Sequence, residues 1–511
     1  MGEMMSARLR SFARPSILLA AVTLLVHLIL NNRYGVFSDE LYFIVCGQHP
    51  ALGYVDQPPL APLIAGASHA LFGTALLPLR LVPALAMSAT VGLTAELAER
   101  LGGGRFAQWL SGLAVLFGGI FLVDGMLMTT DMLQPLTWLG CGYCLVRLAQ
   151  TRNERWWLGF GLVVGVSLTS KFLILFYLAG LAVGVLATPL RRSLLSPWLY
   201  AGAAIALLFA APSLYWQGVH GWPFLELGKA GAEHKNLVLS PLGFLGQQVL
   251  FVGPAAAPIW LIGLWRFSAK PQAPELRVFP IAYAVMVVLF YALHGKAYYL
   301  APVYPVLLVG GALALEGWLR RPLVRGAAIG FVAGVGALLA PLAMPVLPPN
   351  LYGAYAHALG LSSSSTATEK GAQGALPLHL AGMFGWREMA ASVSAVYNAL
   401  PPADRAKAVF FGRDYGEAAA IDVYGPAFHG PDAISGHNNY FLWGPKGHDG
   451  SVVITLGRDA GAWTQVYRSV QAAGRIDNPY AEPFETNVTI FVLRGPLHPA
   501  AAMWPSLKHY E

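Results

Sequence analysis

Long apolar runs separated by short polar or basic breaks fill the chain from residue 15 to residue 345. A bilayer crossing takes about 20 mostly apolar residues, fewer where a helix is short or enclosed by protein. On that measure the runs at 15–31, 77–98, 106–123, 131–149, 156–170, 172–189, 197–217, 242–265, 278–293, 301–318 and 326–345 predict about eleven helical spans. The basic start MGEMMSARLRSFAR followed by PSILLAAVTLLVHLIL has the charge order of a signal peptide, but no small-residue cleavage motif follows, so it reads as a retained first span. Lys and Arg gather on the cytoplasmic side of such helices. With the N-terminus inside, that side holds sixteen: Arg8, Arg10, Arg14, Arg100, Arg105, Arg147, Arg152, Arg155, Arg191, Arg192, Arg266, Lys270, Arg277, Arg320, Arg321 and Arg325. The opposite side, up to residue 345, holds six: Arg33, Arg80, Lys171, Lys229, Lys235 and Lys296. The asymmetry supports this orientation, and an odd span count puts residue 346 onward outside.

The tail changes character. Residues 346–383 are rich in Pro, Gly, Ser and Ala, including SSSSTATEKGAQG, and read as a linker or loosely ordered loop. Beyond it, GWREMAASVSAVYNAL predicts a helix, AVFFG a short buried strand, DYGEAAAIDVYG a helix opened by an acidic cap, and SVVITLG and TNVTIFVLRG further strands. The expected architecture is a polytopic α-helical membrane domain over 1–345, a linker over 346–383, and a small outer α/β domain over 384–511.

Composition agrees with this pattern. The 511 residues are 56% hydrophobic and 12% charged, against about 25% charged in soluble proteins, too few to cover a soluble surface of this size. The net charge of +7 follows from topology-setting basic residues and implies no nucleic-acid partner. Three cysteines are too few for a disulfide framework; Cys141 and Cys144 spell C-x-x-C inside an apolar run, without a second pair or histidine to complete a metal site, and read as small buried residues.

The first outer segment, residues 32–76, opens with Asp39 and Glu40 directly after a span, continues through the apolar stretch LYFIVCG to Asp56-Gln57-Pro58-Pro59, and ends in a second apolar stretch, PLIAGASHALFG. Each stretch is too short to cross, so each fits a helix lying in the membrane interface. Other ionisable residues recur on this side: Asp124 and Asp131 around one outer turn, Glu226, Lys229, Glu233, His234 and Lys235 in an outer loop, Lys171 in SLTSKF, and His294 and Lys296 in LHGKAYYLAPVYP. Charges near a bilayer are costly, so they pair, face a polar cavity or carry function. The charges of the 226–235 loop read as solvated, whereas Asp39 lies at the mouth of a span within an amphipathic segment. Such a surface suits a substrate with a lipid tail and a polar head: a carboxylate takes a proton from a hydroxyl, and a Lys or Arg offsets phosphate charge. No phosphate-cradling glycine loop is present, so a nucleotide is not implied.

The Asp39-Glu40 pair after the first span, the Pro58-Pro59 motif after Asp56, Asp131 at the start of the fourth span and the run Lys296-Ala-Tyr298-Tyr299-Leu-Ala-Pro-Val-Tyr-Pro together resemble the C-type glycosyltransferases. Within them the chain is most similar to the branch of protein O-mannosyltransferases and the lipid A aminoarabinose transferase (glycosyltransferase family 39-like). The resemblance covers about residues 15–345. It implies a catalytic carboxylate at Asp39 with Glu40 beside it, and Asp131 lining the same cavity. It also implies a polyprenyl-phosphate sugar donor held by Lys296, Lys171, Arg80, Gln57, Tyr298 and Tyr299, with Asp56, Pro58 and Pro59 supporting the first loop. The aminoarabinose transferases carry Glu-Lys-Pro-Pro where this chain has Asp56-Gln57-Pro58-Pro59, so phosphate neutralisation falls to Lys296, Lys171 and Arg80, in that order. No cofactor is required; a divalent metal at Asp39, Asp56 and His49 or His294 is compatible with the residues but is not predicted.

The implied activity is an inverting transfer of a sugar to an envelope lipid, glycan or protein acceptor at the outer face of a bacterial inner membrane. The residues alone leave two other readings: a transporter or lipid flippase, whose acids would bind ions or protons, and a scaffold whose outer domain binds an envelope partner. Tyr415, Glu417, His437, Asn438, Asn439, Tyr440 and Trp443 form a polar and aromatic set in the tail that suits either sugar binding or domain packing.

Overall fold

The computed structural model describes residues 14–269, 273–362, 365 and 367–511. Arg8, Arg10, Lys270, Ser363, Ser364 and Thr366 lie outside the described residues. The chain divides into two compact units that do not follow the linear boundaries expected above. One comprises residues 1–33, 80–214 and 236–347; the other joins the first outer segment, 34–79, and the loop at 215–235 to the tail, 348–511.

The first unit is helical. Five described helices are long and apolar enough to cross a bilayer: Leu81–Arg100, Pro197–Val219, Pro274–Ala292, Ala297–Trp318 and Pro322–Ala343. Two bent pairs, Ile174–Leu186 with Pro189–Leu195 and Pro241–Val252 with Ala257–Ala269, turn by 106° and 110° and bring the number to seven if each pair is one span. The expected single run at 242–265 is thus broken. Gly253 takes φ +106°, and Pro254 after it has no N–H to continue a helix. The expected run at 106–123 is likewise split into Arg105–Leu116 and Gly119–Asp124. Other apolar runs give helices of 16 residues, Pro15–Leu30, and 13 residues, Trp156–Leu168, shorter than a full crossing. Small residues let the interior helices approach: a Cβ at Gly263 would collide with the carbonyl of Leu307, and one at Gly311 with that of Ile259. Leu323, Phe331 and Leu338 on Pro322–Ala343, and Leu207 and Leu208 on Pro197–Val219, are exposed, as a lipid-facing helix requires.

The second unit is α/β. Its five strands, β1 (Ala408–Gly412), β2 (Ala433–Ser435), β3 (Val452–Gly457), β4 (Tyr467–Ile476) and β5 (Val488–Pro496), run in the order β2-β1-β3-β5-β4. β1 is parallel to both β2 and β3, while β5 is antiparallel to β3 and β4. The expected helices appear as Trp386–Ala399 and Tyr415–Tyr424, the second capped by Asp414, whose Oδ1 accepts the Glu417 N–H at 2.9 Å. The region expected as a loose linker holds the helix Pro349–Ala358 and the turn of helix Leu378–Ala381.

Helix Ser38–Gln48 differs from a helix lying in the membrane interface, because every residue from Glu40 to Cys46 is buried. Such a helix is enclosed by protein. It packs along Tyr415–Tyr424, and Gly35 and Gly416 allow the approach: a Cβ at Gly35 would collide with the carbonyl of Met383, and one at Gly416 would lie 3.2 Å from Trp386 and 3.4 Å from the Ser38 Cβ. By contrast, Leu60–Phe72 keeps Leu63, Leu71 and Phe72 exposed, the apolar face an interfacial helix needs.

Candidate active site

In the second unit the parallel strands end where the chemistry gathers. In open α/β sheets the carboxyl ends of the strands, at a switch of strand order, form the ligand crevice. β1 has β2 on one side and β3 on the other, and its carboxyl end leads through Arg413 and Asp414 into Tyr415. The carboxyl end of β2 leads to His437, Asn438 and Asn439.

Asp39 is the second residue of Ser38–Gln48, in the first turn, where unpaired backbone N–H groups favour negative charge. The Tyr415 hydroxyl donates to its Oδ1 at 2.8 Å. Glu40, its neighbour in the sequence, has a different environment: it is fully buried, and its Oε2 accepts the Phe37 N–H at 2.8 Å, which closes the helix start. The structure gives Glu40 a capping contact.

Asp56 accepts from the Tyr42 hydroxyl at 3.0 Å, and the Tyr42 oxygen in turn accepts from the Asn439 side-chain amide at 2.8 Å. The other side of that amide accepts the Val55 N–H at 3.2 Å. The Tyr42 and Tyr415 rings stack with centroids 4.5 Å apart, so two phenols side by side serve two carboxylates. Burial pushes the Asp56 carboxyl up to about 7, with the charge of Asp39 adding to the effect and the Tyr42 hydrogen bond opposing it. Glu482, also buried, is pushed up to about 8, with Asp414 and Asp39 among the charges acting in the same direction. Gln57 is 1% exposed, and among the described residues no hydrogen bond is made by its amide atoms. Pro58 is buried, and Pro59 precedes helix Leu60–Phe72.

In the first unit Asp131 receives the Lys171 ammonium on both oxygens, at 2.8 and 2.7 Å, and each side chain is 18% exposed. Asp124 is buried close enough to experience both charges. Lys171 therefore already neutralises a carboxylate, and it also lies over the Tyr299 ring at 4.7 Å. Lys296 lies 6.0 Å over the ring of Tyr298, which meets Tyr299 edge-on at 4.8 Å. Arg80 is fully buried and donates to the Asn31 carbonyl at 2.9 Å.

The metal candidates are scattered. The His49 ring stacks on Trp443 at 4.5 Å, and His294 belongs to the other unit. Among the described residues, one acidic triad has oxygens within 4.8 Å of one another: Asp414, Glu417 and Glu485. There the Arg413 guanidinium donates to Glu417 at 2.7 Å and to both Glu485 oxygens at 3.2 Å, which offsets the negative charge a cation would need. Loop charges of the second unit pair at the surface, Glu226 with Lys508 at 2.7 Å and Lys235 with Glu369 at 4.0 Å.

The tail set expected as one polar surface divides. Tyr415 reaches the Asp39 carboxylate, while Asn439 donates to the Tyr42 hydroxyl that in turn holds Asp56. Tyr440 donates to Asp422 at 2.7 Å, and Asn438 accepts the Glu511 N–H at 3.3 Å, which are packing contacts of the α/β fold. Tyr42 is the member of this cluster that the sequence expectation does not include. A tyrosine within the buried run LYFIVCG needs a partner for its hydroxyl, and that was the available signal.

Residues 56–216 match the sequence model of the family described as dolichyl-phosphate-mannose-protein mannosyltransferase. A lipid A galacturonosyltransferase, RgtD of Rhizobium johnstonii, is 24% identical over 314 residues, 60% of this chain and 66% of that one, so the match spans slightly under two thirds of the relative. Two crystal structures of ArnT from Cupriavidus metallidurans share the fold. The structure bound to undecaprenyl phosphate superposes with a TM-score of 0.59 at 17% identity, and the apo structure with 0.61 at 16%; each covers 94% of this chain, and they are themselves covered to 99% and 98%. All three comparisons bear out the resemblance to membrane C-type glycosyltransferases of the ArnT-like group.

Proposed function

We propose that this chain, which has the fold and family signature of the membrane C-type glycosyltransferases, moves a sugar from a polyprenyl-phosphate donor to an acceptor at the outer face of a bacterial inner membrane, with inversion. The acceptor hydroxyl or amine attacks the anomeric carbon, the bond from that carbon to the phosphate oxygen breaks, polyprenyl phosphate leaves, and the acceptor proton passes to the Asp39 carboxylate. Lys296, over Tyr298, offsets the charge gathering on the leaving phosphate. Lys171 serves mainly to hold Asp131. The α/β tail shares the side of the first outer segment, the arrangement an odd number of spans requires.

The observation that carries this reading is Asp39: a part-buried carboxylate on the first turn of the first-loop helix, hydrogen-bonded by a phenol at 2.8 Å. The match to the mannosyltransferase family and the likeness to a lipid A galacturonosyltransferase support lipid-linked sugar transfer. Lipid A is accordingly the first acceptor to try.

The test is transfer by the purified chain in lipid nanodiscs, with a panel of undecaprenyl-phosphate sugars and lipid A as acceptor. Asp39→Ala is expected to lose at least about 100-fold in kcat, the usual range for a positioned base. Lys296→Ala is expected to raise the donor KM about tenfold, the loss of one charged contact to phosphate. Full activity in Asp39→Ala overturns the assigned role.

A further inference from the structure

We propose that Tyr415, supplied by the C-terminal α/β fold, is the positioning residue for Asp39, so that the first-loop carboxylate is ready to act only when the tail is folded against it. The inference rests on the reading of Asp39 as the acting carboxylate and goes beyond it, because it makes the tail part of the catalytic apparatus.

The geometry carries the argument. The phenol donates to Asp39 Oδ1 at 2.8 Å across 376 positions of sequence. A hydrogen bond donated to a carboxylate favours its ionised form, the form that accepts a proton. The phenol is itself held on several sides. Its ring stacks on Tyr42 at 4.5 Å and leans on the His437 ring at 4.7 Å. Its backbone N–H donates to His437 Nδ1 at 3.3 Å, and Asp414 caps the helix it begins. Gly416 next to it permits the close approach to Ser38.

The charged and titratable groups around the pair fit the same role. Burial, then the charge of Asp39, pushes the Tyr415 phenol well above its usual range, so it remains a donor at every working pH. Burial, with His509 and Lys235 adding to it, holds His437 well below its usual range, which leaves Nδ1 an acceptor for the Tyr415 N–H. Asp56, Asp414, Glu482 and Lys235 are the other charges acting on this cluster, and Asp56 has its own donor in Tyr42. Asp39 and Asp56 thus each accept from a phenol, Asp56 from Tyr42 of its own segment and Asp39 from Tyr415 of the tail.

The test compares the full-length protein with Tyr415→Phe, which keeps the ring and removes the hydroxyl, using the undecaprenyl-phosphate sugar that the panel above identifies. Expected is a kcat lower by about 10- to 100-fold with KM changed less than about threefold, as for an interaction made in the transition state. The acid limb of the pH–rate profile is expected to move up by roughly one pH unit, as for the loss of one hydrogen bond to a carboxylate. Introducing 3-fluorotyrosine at position 415, which preserves the ring and makes a stronger donor, should move that limb down, and this arm decides the matter if Tyr415→Phe folds poorly. An unchanged limb in both substituted proteins overturns the proposal. Asp39→Asn separates the two readings: if it is inactive while Tyr415→Phe behaves as wild type, only the positioning role falls, and if it remains active, both fall.

Discussion

Replacing Asp56 with Asn should make the protein more stable at alkaline pH while changing little in acid. In the folded chain burial lifts this carboxyl from an ordinary 3.8 to about 7. Between those values the folded protein keeps a proton that the unfolded chain has released, so the contribution of Asp56 to stability is intact below about pH 4, falls as pH rises to about 7, and stays low above it. A shift of about three units at about 1.4 kcal/mol each sets a ceiling of about 4 kcal/mol. Since the side chain is only partly enclosed, about 2 kcal/mol is the expected size. Asn has the same shape, never ionises, and keeps an amide oxygen for the Tyr42 hydroxyl. Glu482, lifted to about 8, produces a slope of the same sign in both proteins, so the informative quantity is the difference between their curves. Thermal unfolding in detergent micelles, followed by tryptophan fluorescence from pH 4.5 to 8.5, should show the two proteins close together in acid and Asp56→Asn ahead at pH 8. A difference curve that is flat, or that favours wild type at pH 8, refutes the reasoning.

Removing one member of the Asp131–Lys171 pair leaves a part-buried charge without its partner, so Asp131→Asn and Lys171→Met should each cost about 3 kcal/mol, and the double variant clearly less than the two together; additive losses in denaturant unfolding would show that the pair is not coupled. Arg413→Ala strands the buried Glu417 and Glu485 together and should destabilise by about 3 kcal/mol. Adding Glu485→Gln to that variant should recover part of the loss, and no recovery in the same measurement would count against this account.

The apolar runs were legible because transfer to lipid depends on a local total over some 20 residues, and the helices Leu81–Arg100, Ala297–Trp318 and Pro322–Ala343 lie where that total is high. The bend at Gly253 and Pro254 was visible as residue types, but its 110° angle depends on what packs around it. β4 carries no strand signal in the sequence because its interior positions are mostly exposed and mix polar with small residues, so no alternation marks it as a strand. Asp39 and Glu40 look equivalent in the sequence. The helix starting at Ser38 makes Glu40 the third residue, the position from which a carboxylate reaches back to the N-terminal N–H, and leaves Asp39 facing Tyr415.

The sequence by itself determined that the chain is a helical membrane protein with an α/β tail, and that acids and cations gather in a few interhelical segments, since hydropathy and charge are sums over neighbouring positions. Which acid meets which partner was decided only by tertiary structure. Asp131 found Lys171, 40 positions on, and Asp39 found Tyr415, 376 positions on. A hydrogen bond works over about 3 Å and depends on direction, and no local pattern encodes which distant side chain the fold will bring within that reach.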